Sequence, residues 1–260
     1  MSPWRVVSFD LMNCLLKLKH PIGETYSNVL SNYGVRLSQE QTRNLNETFR
    51  ISIKDTDSRL PCYGVPAGFT PQEWWRQVVL QTFRRAGVIG EAKKMIAAAD
   101  ELFDVYSTND EWELDSDASV VLSHLVQRGL KVGIISNWDH RIYKVLENFD
   151  VLKWFDFSIL SSEVQVAKPD SGIFFHAFKK ASTFVDKSHI STLADCWVHV
   201  GNDWLLDCVA ARKAGIKLAV RYSCFEHDKK RPDELYAAPG IIEIKRLSNL
   251  EKKLFDNKKP

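Results

Sequence analysis

Cysteine is scarce in this chain and never occurs in a paired spacing. The 260 residues contain five cysteines, Cys14, Cys62, Cys196, Cys208 and Cys224, and no C-x-x-C pair. A disulfide-stapled domain or a cysteine zinc site would need a regular framework that these positions do not provide. We therefore expect free thiols in a reducing compartment.

Long apolar runs and an excess of one charge are also missing. No stretch approaches the ~20 apolar residues of a membrane span, and a strand-like run starts by Val6, which leaves no room for a signal peptide. The 35 basic and 33 acidic residues give a net charge of +2, so we expect neither nucleic acid nor a membrane as partner. Basic clusters at 227–234 and 251–260 contain acids and predict solvated loop and tail. We expect an intracellular protein, in cytoplasm or nucleus; its oligomeric state stays open.

Short apolar runs alternate with amphipathic patterns through most of the chain. The runs predict buried strands at Trp4–Phe9, Lys131–Ser136, Trp154–Leu160, Trp197–Gly201 and Lys217–Tyr222. Helical patterns lie between them, at 117–129, 140–149, 171–181 and 204–215. Such alternation is typical of an α/β fold with a parallel sheet.

The stretch from Gly23 to Asn109 has a different pattern. It contains four amphipathic segments and no convincing strand, and Thr70 followed by Pro71 and Glu73 is a typical helix start. The sequence therefore predicts a core of residues 1–19 and 110–260, interrupted by an all-helical cap of residues 20–109. We expect the cap to cover the ends of the strands.

Polar residues follow the predicted strands where those strands end. In an open α/β sheet, the ligand crevice lies beyond the carboxyl ends of the strands. Asp10 could act there as a carboxylate nucleophile on phosphorus, forming an acyl phosphate. Ser136 and Asn137 could donate hydrogen bonds to phosphoryl oxygens, and Lys168 could supply positive charge.

Acids follow the predicted strand that ends at Gly201. Gly201 permits a tight turn, and Asp203 could hold Mg²⁺ through its oxygens. Asp207, one turn further, could bind a water ligand of the metal or orient Lys168. Capping of the next helix by Asp203 is the alternative role. His199 is expected to face the core.

Four segments and the helical insertion between the first two of them resemble the haloacid dehalogenase superfamily, in the subgroup whose α-helical cap follows the first strand. The segments are Val6–Leu16, Lys131–Asn137, Ala167–Asp170 and His199–Asp207. The resemblance runs from Trp4 to about Leu254. It implies a Rossmann-like core and a Mg²⁺ cofactor. It also implies that Asp10 is the nucleophile, Ser136 the phosphate-binding hydroxyl, Lys168 the lysine, and the Asn202–Asp203 pair the metal acid.

Position 12 departs from the pattern of the family's phosphatases. They carry a second aspartate there as general acid and base, and Met12 can do neither. Because such a group typically contributes ~10²–10⁴ in rate, we expect a slow phosphatase. The backbone carbonyl of Met12, which the family uses as a metal ligand, remains. At Gly-Asn-Asp, either Asp203 takes the metal or Asn202 replaces an acid and weakens metal binding.

Three hypotheses remain. The first is a Mg²⁺-dependent phosphatase of a small phosphorylated metabolite, acting through an aspartyl-phosphate on Asp10. The second is a catalytically weak or inactive relative that binds a phosphorylated ligand or a protein partner. The third is a dehalogenase, since those relatives also lack the second aspartate and need no metal.

Overall fold

The computed structural model describes residues 3–223 and 239–255. In chain order its strands are β1 (Val6–Phe9), β2 (Leu16–Leu18), β3 (Trp112–Leu114), β4 (Lys131–Ser136), β5 (Phe157–Leu160), β6 (Trp197–Gly201), β7 (Leu218–Tyr222) and β8 (Ile241–Ile244). Its α-helices are α1 (Ile22–Asn32), α2 (Gln39–Arg59), α3 (Pro71–Arg85), α4 (Ala92–Val105), α5 (Ala118–Gln127), α6 (Arg141–Asn148), α7 (Ser161–Val164), α8 (Gly172–Ala181), α9 (Ala210–Lys213) and α10 (Asn249–Phe255).

The chain divides into two compact units. The helical unit is Leu18–Glu113 with Trp138–Phe149, and the sheet unit is made of the other described residues. The predicted cap of 20–109 lies within the helical unit, whereas 138–149 was predicted with the core. The assignment of these units as domains stays a prediction.

The sheet unit contains a six-stranded parallel sheet, in the order β5-β4-β1-β6-β7-β8. The strands β4 and β6 flank β1, so three central strands end side by side. In register, Phe9 of β1 lies opposite Ile134 of β4 and Val200 of β6. The predicted α/β fold with a Rossmann-like parallel sheet is therefore confirmed, and the central strands bring Asp10, Ser136 and Gly201 to one edge.

Burial explains why these runs form strands. All residues of β1 and β6 are buried, as a strand covered on both faces requires. The strand β8 was not predicted; its sequence, Ile-Ile-Glu-Ile, pairs with β7 and is only partly buried. Gly133 in β4 is needed for packing, because a Cβ there would lie 2.1 Å from the Phe157 ring.

The helical unit contains the four helices predicted between Gly23 and Asn109. Ser38 starts α2 and Thr70 starts α3, each through a reciprocal capping box, as predicted for Thr70 and Glu73. Trp74 and Trp75 of α3 are buried. Both tryptophans therefore contribute their apolar area to the interior of this unit.

The segment 138–149 contains a buried ion pair, and its arginine packs on two aromatic rings of the helical unit. Arg141 binds Asp139 through Nε and Nη2, with the Nη2–Oδ2 distance at 2.7 Å. The guanidinium lies 4.5 Å from the ring centre of Trp75 and 4.1 Å from that of Phe103. The bonds of Nε and Nη2 and the two cation–π contacts offset the burial of this arginine, whose Nη1 has no hydrogen-bond partner among the described residues.

Two expectations from composition concern the described residues. Cys14, Cys62, Cys196 and Cys208 are thiols that form no disulfide within the described residues, as predicted. Across the described ranges, the helices are too short or too polar for a membrane crossing. Cys224 and the basic cluster at 227–234 lie outside the described residues.

Candidate active site

Asp10 lies directly after β1 and is 7% exposed. Its backbone N–H donates to the carbonyl of Val200, which continues the ladder with β6. Its Oδ1 accepts two hydrogen bonds, from Ser136 Oγ at 2.8 Å and from Lys168 Nζ at 2.7 Å. Among the described residues, none bonds its Oδ2. Asp10 therefore presents one fixed oxygen and one available oxygen.

Lys168 is a buried side chain, only 4% exposed. Its ammonium donates to Asp10 Oδ1, to Asp207 Oδ1 at 2.6 Å and to the carbonyl of Ile135 at 3.0 Å. An ammonium group has three N–H donors, so these contacts use all of them. The positive charge of Lys168 is therefore held between two acids.

Asn137 bonds the backbone of Lys168 in both directions. Its Nδ2 donates to the Lys168 carbonyl, and its Oδ1 accepts from the Lys168 N–H, both at 2.8 Å. These contacts join the end of β4 to the loop that carries the lysine. The amide that was predicted to bind phosphoryl oxygens therefore has a positioning contact in this structure.

Asp207 is 1% exposed, and both of its oxygens are bonded. Oδ1 accepts from Lys168, and Oδ2 accepts from the backbone N–H of Asp203 at 2.9 Å. The carboxylate packs on Gly201, where a Cβ would lie 2.2 Å from Asp207 Cγ. A glycine is required at 201 because of this close approach, and the predicted orienting role of Asp207 toward Lys168 matches the contact.

Asp203 caps the segment that follows β6. Its Oδ1 accepts from the N–H groups of Leu205 and Leu206, each at 2.8 Å. The backbone carbonyl of Asp203 accepts from Asp207 at 3.1 Å and from Cys208 at 3.3 Å, so the turn Trp204–Val209 is π-helical. The single α-helix predicted at 204–215 is therefore a wide turn followed by the short α9, which allows the Asp207 side chain to fold back toward Asp203.

Three further polar side chains lie behind Asp207, and two of them, Ser8 and Trp197, were not singled out from the sequence. His199 is buried, as expected, but its Nε2 lies 3.5 Å from Asp207 Oδ1. Its Nδ1 lies 2.9 Å from Ser8 Oγ, which accepts from Trp197 Nε1 at 2.8 Å. Only the pairing of Ser8 with His199 across β1 and β6 reveals this group.

Burial and charge shift the pKa values of the acids in opposite directions. Burial raises the pKa of Asp10, and the contact with Lys168 opposes that rise. Burial also acts to raise the pKa of Asp207, but Lys168 and then His199 outweigh it and lower this pKa to about 2. The two acids raise the pKa of Lys168 against the effect of burial. Asp207 and Lys168 therefore stay charged at neutral pH.

The oxygen donors at this edge fit Mg²⁺. Magnesium usually binds one or two protein carboxylates and completes its shell with water and substrate phosphate. Asp10 Oδ2 and the carbonyl of Met12 have no hydrogen bond within the described residues, whereas both oxygens of Asp207 are used. Asn202 and Asp203 are half-buried beside Asp207. No group of three or more His, Cys, Asp or Glu side chains suited to a metal occurs in the part of the chain that the structure describes.

Comparison with known proteins identifies the family. A family model described as haloacid dehalogenase-like hydrolase matches residues 4–215. The Mus musculus protein "Haloacid dehalogenase-like hydrolase domain-containing protein 3" is 31% identical over 212 residues, which cover 82% of this chain and 79% of that protein. The resemblance found in the sequence is therefore confirmed.

Two solved structures share the fold. YfnB from Bacillus subtilis, bound to magnesium, has a TM-score of 0.67 and 15% identity, covering 97% of this chain and 99% of its own. L-2-haloacid dehalogenase from Xanthobacter autotrophicus, with chloropropionic acid covalently bound, has a TM-score of 0.66 and 14% identity, covering 98% and 100%. At these identities the likeness shows the fold alone.

Proposed function

Because the chain belongs to the haloacid dehalogenase-like hydrolase family, we propose that it is a slow Mg²⁺-dependent phosphatase that acts on a small phosphorylated molecule through Asp10. The observation that carries this proposal is the geometry of Asp10. Ser136 and Lys168 hold its Oδ1, while its Oδ2 is available beyond the end of β1. A carboxylate fixed in this way is prepared for nucleophilic attack.

The reaction divides into two displacements at phosphorus. Asp10 Oδ2 attacks the phosphoryl group, the ester P–O bond breaks, and the alcohol leaves with a proton taken from water. Water then attacks the aspartyl-phosphate, the P–O bond to Asp10 breaks, and inorganic phosphate is released with the Asp10 carboxylate restored. Lys168 stabilises the negative charge that gathers around Asp10 in both steps.

The Asp10 carboxylate and the carbonyl of Met12, with an oxygen from Asn202 or Asp203, are the groups that would hold the metal. Bound there, Mg²⁺ would neutralise phosphoryl oxygens and reduce their repulsion from Asp10. Asp207 would act indirectly, by fixing Lys168. The family's metal-bound relative, YfnB, supports this choice of cofactor.

Met12 explains the expected low rate. A methionine thioether neither donates nor accepts the proton that a second aspartate would move. The resulting deficit is greatest for alkyl phosphates, whose leaving alcohols need a proton, and smallest for aryl phosphates. In a series of substrates, the rate should therefore fall steeply as the pKa of the leaving alcohol rises.

The experiment is a phosphatase panel on the purified protein, with Mg²⁺ and with a chelator. We expect turnover that needs Mg²⁺ and is abolished in Asp10→Asn. The variant Asp104→Asn changes an exposed acid of α4 and is the matched control. Full activity in Asp10→Asn, or equal activity with chelator, would contradict the proposal.

A dehalogenase is the second candidate, favoured by two observations on the acids. Asp203 is used as a helix cap, and both oxygens of Asp207 are bonded, so few acids are left for a metal. The covalent complex of the Xanthobacter relative supports it. Single turnover in ¹⁸O-water distinguishes the two reactions. A dehalogenase forms a carboxylate ester on Asp10, and its hydrolysis places ¹⁸O in the Asp10 carboxylate. A phosphatase forms an aspartyl-phosphate, and attack of water at phosphorus places ¹⁸O in the released phosphate.

A further inference from the structure

A chain of buried polar contacts leads from β6 to Asp207. Trp197 Nε1 lies 2.8 Å from Ser8 Oγ, and Ser8 Oγ lies 2.9 Å from His199 Nδ1. The imidazole Nε2 lies 3.5 Å from Asp207 Oδ1 and has no hydrogen-bond partner among the described residues. These four side chains are at most 1% exposed. Solvent therefore does not supply alternative partners for them.

The first donor, together with the acceptors open to the Ser8 hydroxyl, sets the direction of these contacts. An indole N–H can only donate, so Ser8 Oγ is the acceptor from Trp197. The Ser8 hydroxyl hydrogen has His199 Nδ1 as its acceptor, and no other acceptor for it occurs among the described residues. Because Nδ1 accepts, the ring hydrogen of neutral His199 is on Nε2. That N–H faces Asp207.

We propose that His199 is a positioning residue that fixes Asp207 and thereby holds Lys168 on Asp10. This inference rests on the function proposed above, in which Asp10 is the nucleophile. His199 touches neither the nucleophile nor the position of the phosphoryl group, so it acts through Asp207. Trp197 and Ser8 select the imidazole tautomer that can do so.

The contacts of Asp207 show what His199 adds. Asp207 Oδ2 is held by the Asp203 N–H, and Oδ1 is shared by Lys168 at 2.6 Å and His199 at 3.5 Å. The imidazole lies against the same oxygen as the lysine and thus opposes rotation of the carboxylate. It also closes this side of the acid to water, because Phe174 packs edge-on against the His199 ring at 5.1 Å between centres. An apolar side chain could fill the space but would not donate.

The matched substitutions are His199→Gln and His199→Asn. A glutamine amide reaches the position of Nε2 and can donate to Asp207, whereas an asparagine amide reaches only the position of Nδ1. We expect the kcat of His199→Gln to be within about 3-fold of the parent value and the kcat of His199→Asn to be lower by about 10-fold or more. KM should be unchanged in both variants. His176→Gln, at an exposed histidine of α8, is the control. Equal kcat values in Gln and Asn would overturn the proposal.

A spectroscopic readout does not require turnover. Long-range ¹H–¹⁵N spectra distinguish the two neutral imidazole tautomers, and the His199 signals are those lost in His199→Gln. We expect Nε2–H in the parent and a changed tautomer balance in Ser8→Ala. A parent protein with Nδ1–H would overturn the inference even if the phosphatase assay succeeds. If no substrate turns over, the proposed function fails, while this spectrum still decides the tautomer on which the positioning role depends.

Discussion

Lys168→Met removes the positive charge that bridges Asp10 and Asp207. The two ion pairs are 2.7 and 2.6 Å long, and the lysine and Asp207 side chains are 2% and 1% exposed. Breaking a buried pair by removing one partner typically costs about 3–5 kcal/mol, because it leaves an uncompensated buried charge. Here two carboxylates lose their partner. We therefore expect the free energy of unfolding to fall by about 4 kcal/mol or more near neutral pH.

The sign of the pH dependence follows from the acids. In the parent, the pKa of Asp207 is lowered to about 2 from 3.8, so its contribution to stability is present above pH 3.8 and is lost as the pH falls through about 2. In Lys168→Met, burial without the lysine raises the pKa values of both acids. A raised pKa makes the folded state more stable at low pH and less stable as the pH rises. The difference between variant and parent should therefore shrink from about pH 7 to about pH 4.

Urea unfolding at several pH values, followed by tryptophan fluorescence, measures this difference. The control is Lys217→Met, because Lys217 and Asp195 form an exposed pair at 3.7 Å with side chains 59% and 66% exposed. An exposed pair contributes about 0–1 kcal/mol, so the control should differ little from the parent at any pH. A Lys168→Met loss below about 1 kcal/mol, or a loss that is the same at every pH, would refute the buried-charge reasoning.

Three other substitutions test separate contacts. Gly201→Ala should displace the Asp207 carboxylate, lowering both turnover and the melting temperature; unchanged values of both would exclude the close approach. Arg141→Met should lower the free energy of unfolding by about 3–5 kcal/mol, because it leaves Asp139 buried and unpaired, and Arg141→Met combined with Asp139→Asn should recover part of the loss in the same urea assay. Met12→Asp should raise turnover of an alkyl phosphate by about tenfold or more; a flat or lower rate in a folded variant would show that the missing acid is not the cause of slow catalysis.

The buried strands were predictable because each consists of consecutive apolar residues. The runs that became β1, β4 and β6 cannot alternate, since both faces of each strand are covered. The strand β8 lacks this signal because its residues are only partly buried at the edge of the sheet. Its pairing depends on β7 rather than on its own composition.

The polar residues of the site were predictable by position, but their contacts were not. Strand ends identified Asp10 and Ser136, a loop position identified Lys168, and the structure brings these three together. The reciprocal bonds of Asn137 with the Lys168 backbone could not be predicted, because they depend on the path of the loop between α7 and α8.

The group behind Asp207 was hidden for a different reason. Ser8 and His199 are 191 residues apart in sequence and meet only because β1 and β6 pair in that register. A strand pattern gives the face of a residue but not its neighbour across the sheet. The same limit applies to Gly201, whose requirement comes from the Asp207 carboxylate and not from a left-handed backbone.

Covalent phosphate on the Asp10 side chain is the most direct test of the central claim. The protein is mixed with an aryl phosphate and Mg²⁺, quenched in acid, digested and analysed by peptide mass spectrometry. Because Met12 cannot activate the water that hydrolyses the aspartyl-phosphate, we expect this intermediate to accumulate. The phosphate should be found on the peptide that contains Asp10, and it should be absent from Asp10→Asn. Turnover with no adduct on Asp10, or with phosphate on another residue, would contradict the account.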